Sequence, residues 1–305
     1  MSEAEELAAS LVRSLPYIRK FKDAIIVIKY GGHAMTEQSL KESFAVDVVI
    51  LKSMGLSPVI VHGGGPQIED MLKRLKIESK FVDGLRVTDK ETMDIVEMVL
   101  GGSVNKEIVS IINRNGGQAV GISGKDAALI KAKKLQYTRK AAEPDQSEVS
   151  VDMGMVGDVV NIDTSIIKTL ASGGFIPVIA PMGIGDNGET FNINADTMAG
   201  HVAAALGATK FILVTDTPGV MDKNGTVIST LTKSDINIKI SDGTITGGMI
   251  PKVFCCLDAI KLGVEKAHII DGRVPHAILQ EVFTESGIGT QIVRQKSITK
   301  EDIED

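Results

Sequence analysis

Two glycine-rich segments carry the first sign of chemistry. Lys29-Tyr30-Gly31-Gly32 and His62-Gly63-Gly64-Gly65-Pro66 each set permissive backbone beside a polar side chain. Glycine tolerates positive φ and lets the main chain approach a ligand closely. A helix that starts just beyond such a turn offers unpaired N–H groups to an anion. Both segments follow short apolar, β-rich runs, so both fall at the carboxyl ends of predicted strands, where α/β sheets usually bind ligands. Either loop alone would pass as a plain tight turn. Two in register, one flanked by Lys29, point to a site for phosphate or carboxylate. The common nucleotide signatures are missing. Neither loop has G-x-G-x-x-G spacing, and Gly124-Lys125-Asp126 puts Asp126 where a P-loop needs Ser or Thr. The protein-kinase catalytic-loop and magnesium-binding motifs are absent too.

The elements that must position these loops alternate in type. Residues 24–28, 58–61, 119–122, 176–180, 211–214 and 267–270 are short, apolar and β-branched, the pattern of strands buried on both faces. Helical periodicity fills the intervals, as in residues 38–54, which stop at Gly55, a plausible C-cap. Pro66 falls where a first helical residue should be. Thr88 and Glu91 have capping-box spacing before Met93, Ile95 and Val96. The alternation predicts an α/β fold: a three-layer sandwich with a central, mostly parallel sheet. Residues 133–158 break the rhythm with a polar stretch containing Pro144 and the alternating piece 148–151. They predict a hairpin-like excursion or lid. The divisions expected are an N-terminal helical extension, 1–22, and two lobes of one continuous domain, 23–195 and 196–305.

Composition narrows the partners. The chain has 305 residues, 43% hydrophobic and 24% charged, enough for a sizeable core without disulfide or metal staples. With no Trp and 4% aromatics, base stacking is a poor prospect. A formal charge of −6 argues against a general polyanion binder, so no nucleic-acid partner is expected. The adjacent Cys255 and Cys256 have no nearby His ligands; they predict buried, reduced thiols and no protein-bound metal. That usage fits a reducing compartment. Residues 1–20 carry Glu3, Glu5 and Glu6 and no long apolar run, so neither a signal peptide nor a membrane span is predicted, and a cytoplasmic location is expected. Instead Leu7, Leu11, Leu15 and Ile18 recur at helical spacing, with Pro16 marking a bend. That apolar stripe must dock on its own domain or on another subunit.

Six segments in order make the pattern specific. They are the two glycine loops, Gly84-Leu85-Arg86-Val87-Thr88, Asn192-Ile193-Asn194-Ala195-Asp196, Asp216-Thr217-Pro218-Gly219-Val220 and Gly247-Gly248-Met249-Ile250-Pro251-Lys252. Over residues 25–293 the chain resembles the amino acid kinase superfamily and, within it, the acetylglutamate kinases. The resemblance implies transfer of the γ-phosphoryl group of ATP, with Mg²⁺, to the γ-carboxylate of N-acetyl-L-glutamate on the arginine or ornithine route. It implies Lys29 and Lys252 on the transferring group and Asp196 orienting them. Gly64, Gly65, Arg86 and Asn192 would hold the acid, and Gly31, Gly32 and Gly63 would shape the phosphate loops. Asp216, Gly219, Val220, Met221, Thr244 and Thr246 would line the nucleotide site. The chemistry agrees, because a carboxylate is ionised at neutral pH and needs no general base, while two lysines offset its repulsion by polyphosphate. His62 is expected to pack, with only its backbone needed in the loop. Another small-acid kinase of this superfamily, a non-catalytic amino-acid sensor and a nucleotide-dependent oxidoreductase are the competing readings. Retention of both lysines speaks against the sensor, and the missing fingerprint against the oxidoreductase.

The two ends of the chain carry a further resemblance. The amphipathic helix of residues 7–20 and the segment from Ala267-His268-Ile269-Ile270-Asp271 through Glu281 to Thr290 are similar to those of arginine-sensitive acetylglutamate kinases. That likeness implies L-arginine as an inhibitor held by Tyr17, Lys210, His268, Glu281 and Gly287. It also implies a homo-hexamer, a trimer of dimers interlaced by the N-terminal helices. Whether a nitrogen-signalling PII protein binds, as in some relatives, is left open.

Overall fold

The computed structural model describes residues 2–139 and 149–295. In chain order the first elements are α1 (Glu3–Lys20), β1 (Ile25–Tyr30), α2 (Gln38–Ser53), β2 (Ser57–His62), α3 (Gly65–Leu75), β3 (Lys80–Val82), β4 (Leu85–Val87), α4 (Lys90–Glu97) and α5 (Asn105–Arg114). A seven-residue π-helical segment, Met98–Val104, joins α4 to α5. Then come β5 (Ala119–Ser123), β6 (Ile130–Lys134), β7 (Tyr137–Arg139), β8 (Val149–Val151), β9 (Gly157–Ile162), α6 (Ser165–Ser172), β10 (Ile176–Ala180), β11 (Met182–Ile184) and β12 (Thr190–Asn192). The last stretch holds α7 (Ala195–Leu206), β13 (Lys210–Thr215), β14 (Thr230–Leu231), α8 (Lys233–Ser241), α9 (Met249–Lys261), β15 (Lys266–Asp271), α10 (Ala277–Phe283) and β16 (Thr290–Val293).

The central sheet has eight strands in the order β14-β16-β15-β13-β1-β2-β10-β5. Every neighbouring pair is parallel except β15 with β16. Helices cover both faces, which confirms the predicted α/β sandwich. The chain winds outward from β1 through β2 and then returns to β1's other side with β13. The crevice beside β1 is therefore the topological switch point at which such sheets bind ligands.

Strand periodicity decides which side chains meet there. In β1, Ile26, Ile28 and Tyr30 enter the core under α2, α5 and α10, where Tyr30 stacks on Phe44 with ring centroids 3.6 Å apart. Val27 points the other way, into the core under α7 and α9. Lys29 shares that second face because side chains alternate along a strand. Period two thus delivers Lys29 to the helices that carry Asp196 and Lys252.

One local expectation changes. The helix at Thr88 starts one residue later: Asp89 is its N-cap and accepts from the Thr92 N–H at 2.8 Å. Asp89 stands closer to the orphan N–H groups, and Thr88 is buried, donating instead to the Arg86 carbonyl. Pro16 lies inside the first helix, which runs from Glu3 to Lys20. Of the predicted lid, β7 and β8 pair antiparallel as a hairpin, and β6 pairs antiparallel with β9 in a second sheet. The rest of that expectation, including Pro144 and Glu148, lies outside the described residues. Among the described residues, no helix is long and apolar enough to cross a membrane.

Candidate active site

Three charges from three elements meet at the carboxyl end of β1. Lys29 Nζ lies 2.9 Å from Asp196 Oδ1, and Lys252 Nζ lies 3.3 Å from Asp196 Oδ2. Each residue is placed by its neighbours. Asn194 caps α7 by accepting from the N–H groups of Asp196 and Thr197, which fixes Asp196 in the first turn. Lys252 is the fourth residue of α9, and Cys255, one turn on, donates its thiol hydrogen to the Asp196 carbonyl at 2.9 Å. Burial pushes both cysteine thiols up, so they stay protonated and serve packing. Burial would also raise the Asp196 carboxyl, but Lys29 and Lys252 outweigh it and hold the group below its ordinary range. Asp196 is therefore held as a carboxylate between the two lysines.

Those charges close one end of an open cleft of about 830 Å³. Its walls include Gly63, Gly64, Gly65, Arg86 and Asn192. The structure thus brings the sequence-predicted acid-binding residues into one cavity with Lys29 and Asp196, while Lys252 stands behind Asp196 and joins the site through it. Lys29 folds back over Gly31, where a Cβ would come within 2.5 Å of its Nζ, so a side chain at Gly31 would displace the ammonium from this position. Arg86 Nη1 donates to Glu69 Oε2 at 2.8 Å and to Ser79 Oγ, and its guanidinium lies 4.5 Å from the centre of the Phe81 ring. Asn192 donates to Thr88 Oγ1 at 3.2 Å.

The predicted nucleotide residues occupy two loops beside this cleft. Asp216 follows β13, and Gly32 of the first glycine loop packs near its backbone. Val220 donates its N–H to Thr290 Oγ1 at 2.8 Å, and Met221 bridges to Val227. Thr244 and Thr246 lie on the turn between α8 and α9. Lys223 reaches Asp242 at 3.8 Å and ties the two loops together.

A second cavity, of about 720 Å³, lies toward the starts of β13 and β15, at the opposite end of the strands from Lys29. All five residues assigned by resemblance to an effector, Tyr17, Lys210, His268, Glu281 and Gly287, line it. Lys210 Nζ donates to His268 Nε2 at 3.1 Å, and His268 Nδ1 donates to Glu281 Oε1 at 2.6 Å. Glu281 Oε2 accepts from the N–H groups of Ile288 and Gly289. Burial pushes Lys210 down to about 8 and keeps His268 neutral, while the His268 and backbone donors hold Glu281 ionised against its own burial.

Comparison with known proteins decides the family. The model of the amino acid kinase family matches residues 24–271. A curated acetylglutamate kinase of Saccharophagus degradans is 57% identical over 97% of this chain and 98% of its own length. One from Syntrophobacter fumaroxidans is 57% identical over 95% of the chain and 97% of its own. This chain belongs to the amino acid kinase family, among the acetylglutamate kinases. Solved structures agree on the fold. The Streptococcus mutans protein smu.665 superposes with a TM-score of 0.70 at 30% identity, over 88% of this chain and 98% of its own. N-acetylglutamate synthase of Neisseria gonorrhoeae, solved with coenzyme A and N-acetyl-glutamate, gives 0.79 at 23% identity over 96% of this chain. The kinase spans only 64% of that synthase's length.

Some groups around the kinase's cleft escaped the sequence reading. The hairpin of β3 and β4, which carries Phe81 and Arg86, has the turn Asp83-Gly84, both at positive φ. Asp-Gly between two short β-prone runs is a hairpin signal that was available in the sequence. Glu69 and Ser79, which hold Arg86, gave none, since each lies in a different element from Arg86. The π-helical segment had no signal either, although its Leu100 fills the space beneath Gly64.

Proposed function

We propose that this kinase transfers the γ-phosphoryl group of ATP, delivered as its Mg²⁺ complex, to the γ-carboxylate of N-acetyl-L-glutamate. The product is N-acetyl-L-glutamyl 5-phosphate, an intermediate of arginine biosynthesis. The observation that carries this reading is the Lys29–Asp196–Lys252 triad at one end of a cleft whose other wall presents Arg86 and Asn192. A carboxylate oxygen attacks the γ-phosphorus as the bond to the ADP oxygen breaks, and the electrons of that bond leave with ADP. No proton moves, because the acid is already ionised. What the protein must supply is charge and alignment. Lys29 and Lys252 meet the equatorial oxygens of the transferring group, and Asp196 keeps two ammonium groups close without letting them repel each other apart. Glu69 and Ser79 engage Nη1 of Arg86 and the Gly65 carbonyl accepts from Nη2 at 3.4 Å, which leaves Nε and the second Nη2 hydrogen for a carboxylate of the acid. Asn192 suits the neutral acetamide. In this reading residues 23–195 form the acid-binding lobe and residues 196–305, with the 216–221 and 244–246 loops, the ATP lobe.

We infer also that the second cavity is an L-arginine site through which the end product inhibits, and that the protein is a hexamer. The support is a buried, ionised Glu281 beside Lys210 in a cavity closed on one side by Tyr17 of α1. A guanidinium and a carboxylate on one small molecule match that pair of charges. Leu11, Val12 and Leu15 of α1 are exposed, an apolar stripe suited to a neighbouring subunit. Activity measured with a panel of acids, with and without arginine, tests both halves. Turnover with carbamate, glutamate or aspartate in place of acetylglutamate would redirect the substrate. Removing residues 1–20 should yield smaller, active particles by light scattering, with a weakened arginine response.

A further inference from the structure

The second glycine loop rests on a buried polar pair that the mechanism above does not use. His62, the last residue of β2, is fully buried, and its Nδ1 lies 2.6 Å from the carbonyl oxygen of Gly63. A carbonyl only accepts, so Nδ1 carries the hydrogen. The other ring nitrogen, Nε2, lies 3.2 Å from Nδ2 of Asn105. That amide also faces the carbonyls of Val178 at 3.0 Å and Ile122 at 3.4 Å, while its Oδ1 accepts from Lys106 Nζ at 3.1 Å. Two carbonyls and an ammonium leave the amide one orientation, with NH₂ toward the ring; a hydrogen on Nε2 would point at that NH₂, so Nε2 is the bare nitrogen. Both ends of the imidazole independently require the same neutral tautomer. Burial, which pushes His62 down to about 4, keeps the ring neutral at working pH.

The consequence lies in the next peptide unit. In a trans peptide the C=O of one residue and the N–H of the next point in opposite directions. With the Gly63 carbonyl drawn inward onto the ring, the N–H of Gly64 is turned outward, to the cleft that Gly64 shares with Lys29 and Asp196. The preceding amide is held as well, since Gly63 donates to the Tyr30 carbonyl at 2.7 Å. The floor beneath comes from the π-helical segment: a Cβ on Gly64 would run into Leu100 and would come within 3.5 Å of Val104. Asn105 begins α5 at the end of that segment. An extra residue per turn is a recurring device at functional sites. Here it sets Leu100 and Val104 under the loop and Asn105 against the ring.

We propose that His62 and Asn105 are positioning residues, which lock one imidazole tautomer so that the Gly64 N–H is aimed at the reacting groups. The proposal rests on the reading of the cleft as the phosphoryl-transfer site, but its first test needs no substrate. In full-length protein labelled with ¹⁵N-histidine, long-range ¹H–¹⁵N correlation should show His62 with a protonated Nδ1 and a bare Nε2. An Nε2-protonated or doubly protonated ring would overturn the proposal whatever acid the enzyme uses. The second test is kinetic. In His62→Asn the amide nitrogen takes the place of Nδ1 and keeps a donor for the Gly63 carbonyl; in His62→Gln the amide nitrogen takes the place of Nε2 instead. The Gln variant should lose about 10-fold more in kcat than the Asn variant, with KM for ATP within about two-fold, since small misplacements of aligned groups cost rate. Equal kcat in two folded variants would assign His62 to packing alone. If either variant fails to fold, the tautomer of the wild-type ring decides.

Discussion

Lys29 Nζ stands 2.9 Å from Asp196 Oδ1, although one residue comes from the central strand and the other from the first turn of α7, 167 positions later. Lys252 holds the other carboxylate oxygen. Lys29→Ala and Lys252→Ala should each lower kcat by about 10²- to 10³-fold, the usual effect of deleting one preorganised donor of charge. Steady-state kinetics on folded variants checks this, and near-normal turnover would take that lysine out of the mechanism. Because the lysines depress the Asp196 carboxyl, its stabilising contribution is present above the unfolded value, about 3.9, and lost only as pH falls through the lower folded value. The pH profile of kcat should therefore show no inflection from Asp196 between pH 5 and 9.

Arg86→Lys should mainly raise KM for acetylglutamate. A lysine keeps the charge but loses the planar fork and the two donors of Nη1 that hold Glu69 and Ser79. A collapse of ATP affinity instead would reverse the assignment of the acid and nucleotide halves.

Gly64→Ala should impair both folding stability and rate. Its new methyl group collides with Leu100, a side chain buried under the loop. Overpacking of this kind costs roughly 1–3 kcal/mol. Leu100→Ala in the same chain should restore part of the lost kcat by opening that space. No rescue would show that the loop is not supported from below by the π-helical segment.

The cavity around Lys210 gives a pH signature. Burial lowers its folded value to about 8, whereas the unfolded chain titrates near about 10.4. Between these values the unfolded state binds more protons, so stability rises with pH across that window. The urea midpoint of the wild type should climb from pH 8 to 10 relative to Lys210→Met, which lacks the titration. Parallel profiles would mean that Lys210 is not desolvated in the folded protein.

The sheet, several of its covering helices and the placement of both glycine loops were legible because they depend on local periodicity. Buried β-branched runs read as parallel strands, and period two along β1 already assigns Tyr30 and Lys29 to opposite faces. The triad itself is a tertiary fact. No spacing rule links Lys29, Asp196 and Lys252; family resemblance brought them together in the sequence reading, and the fold supplies the reason. The capping residue at α4 was misplaced by one position because Thr88 and Asp89 are both good caps, and burial of Thr88 decides between them. Asn105 and His62 were invisible as a pair. A polar residue on an otherwise amphipathic helix reads as surface until its neighbours are known.

The most direct test of the account is a single assay with ATP, Mg²⁺, N-acetyl-L-glutamate and hydroxylamine. Acyl transfer to the carboxylate predicts a trapped hydroxamate formed in step with ADP and dependent on the acid. ADP release without hydroxamate, or hydroxamate from another acid but none from acetylglutamate, would contradict it.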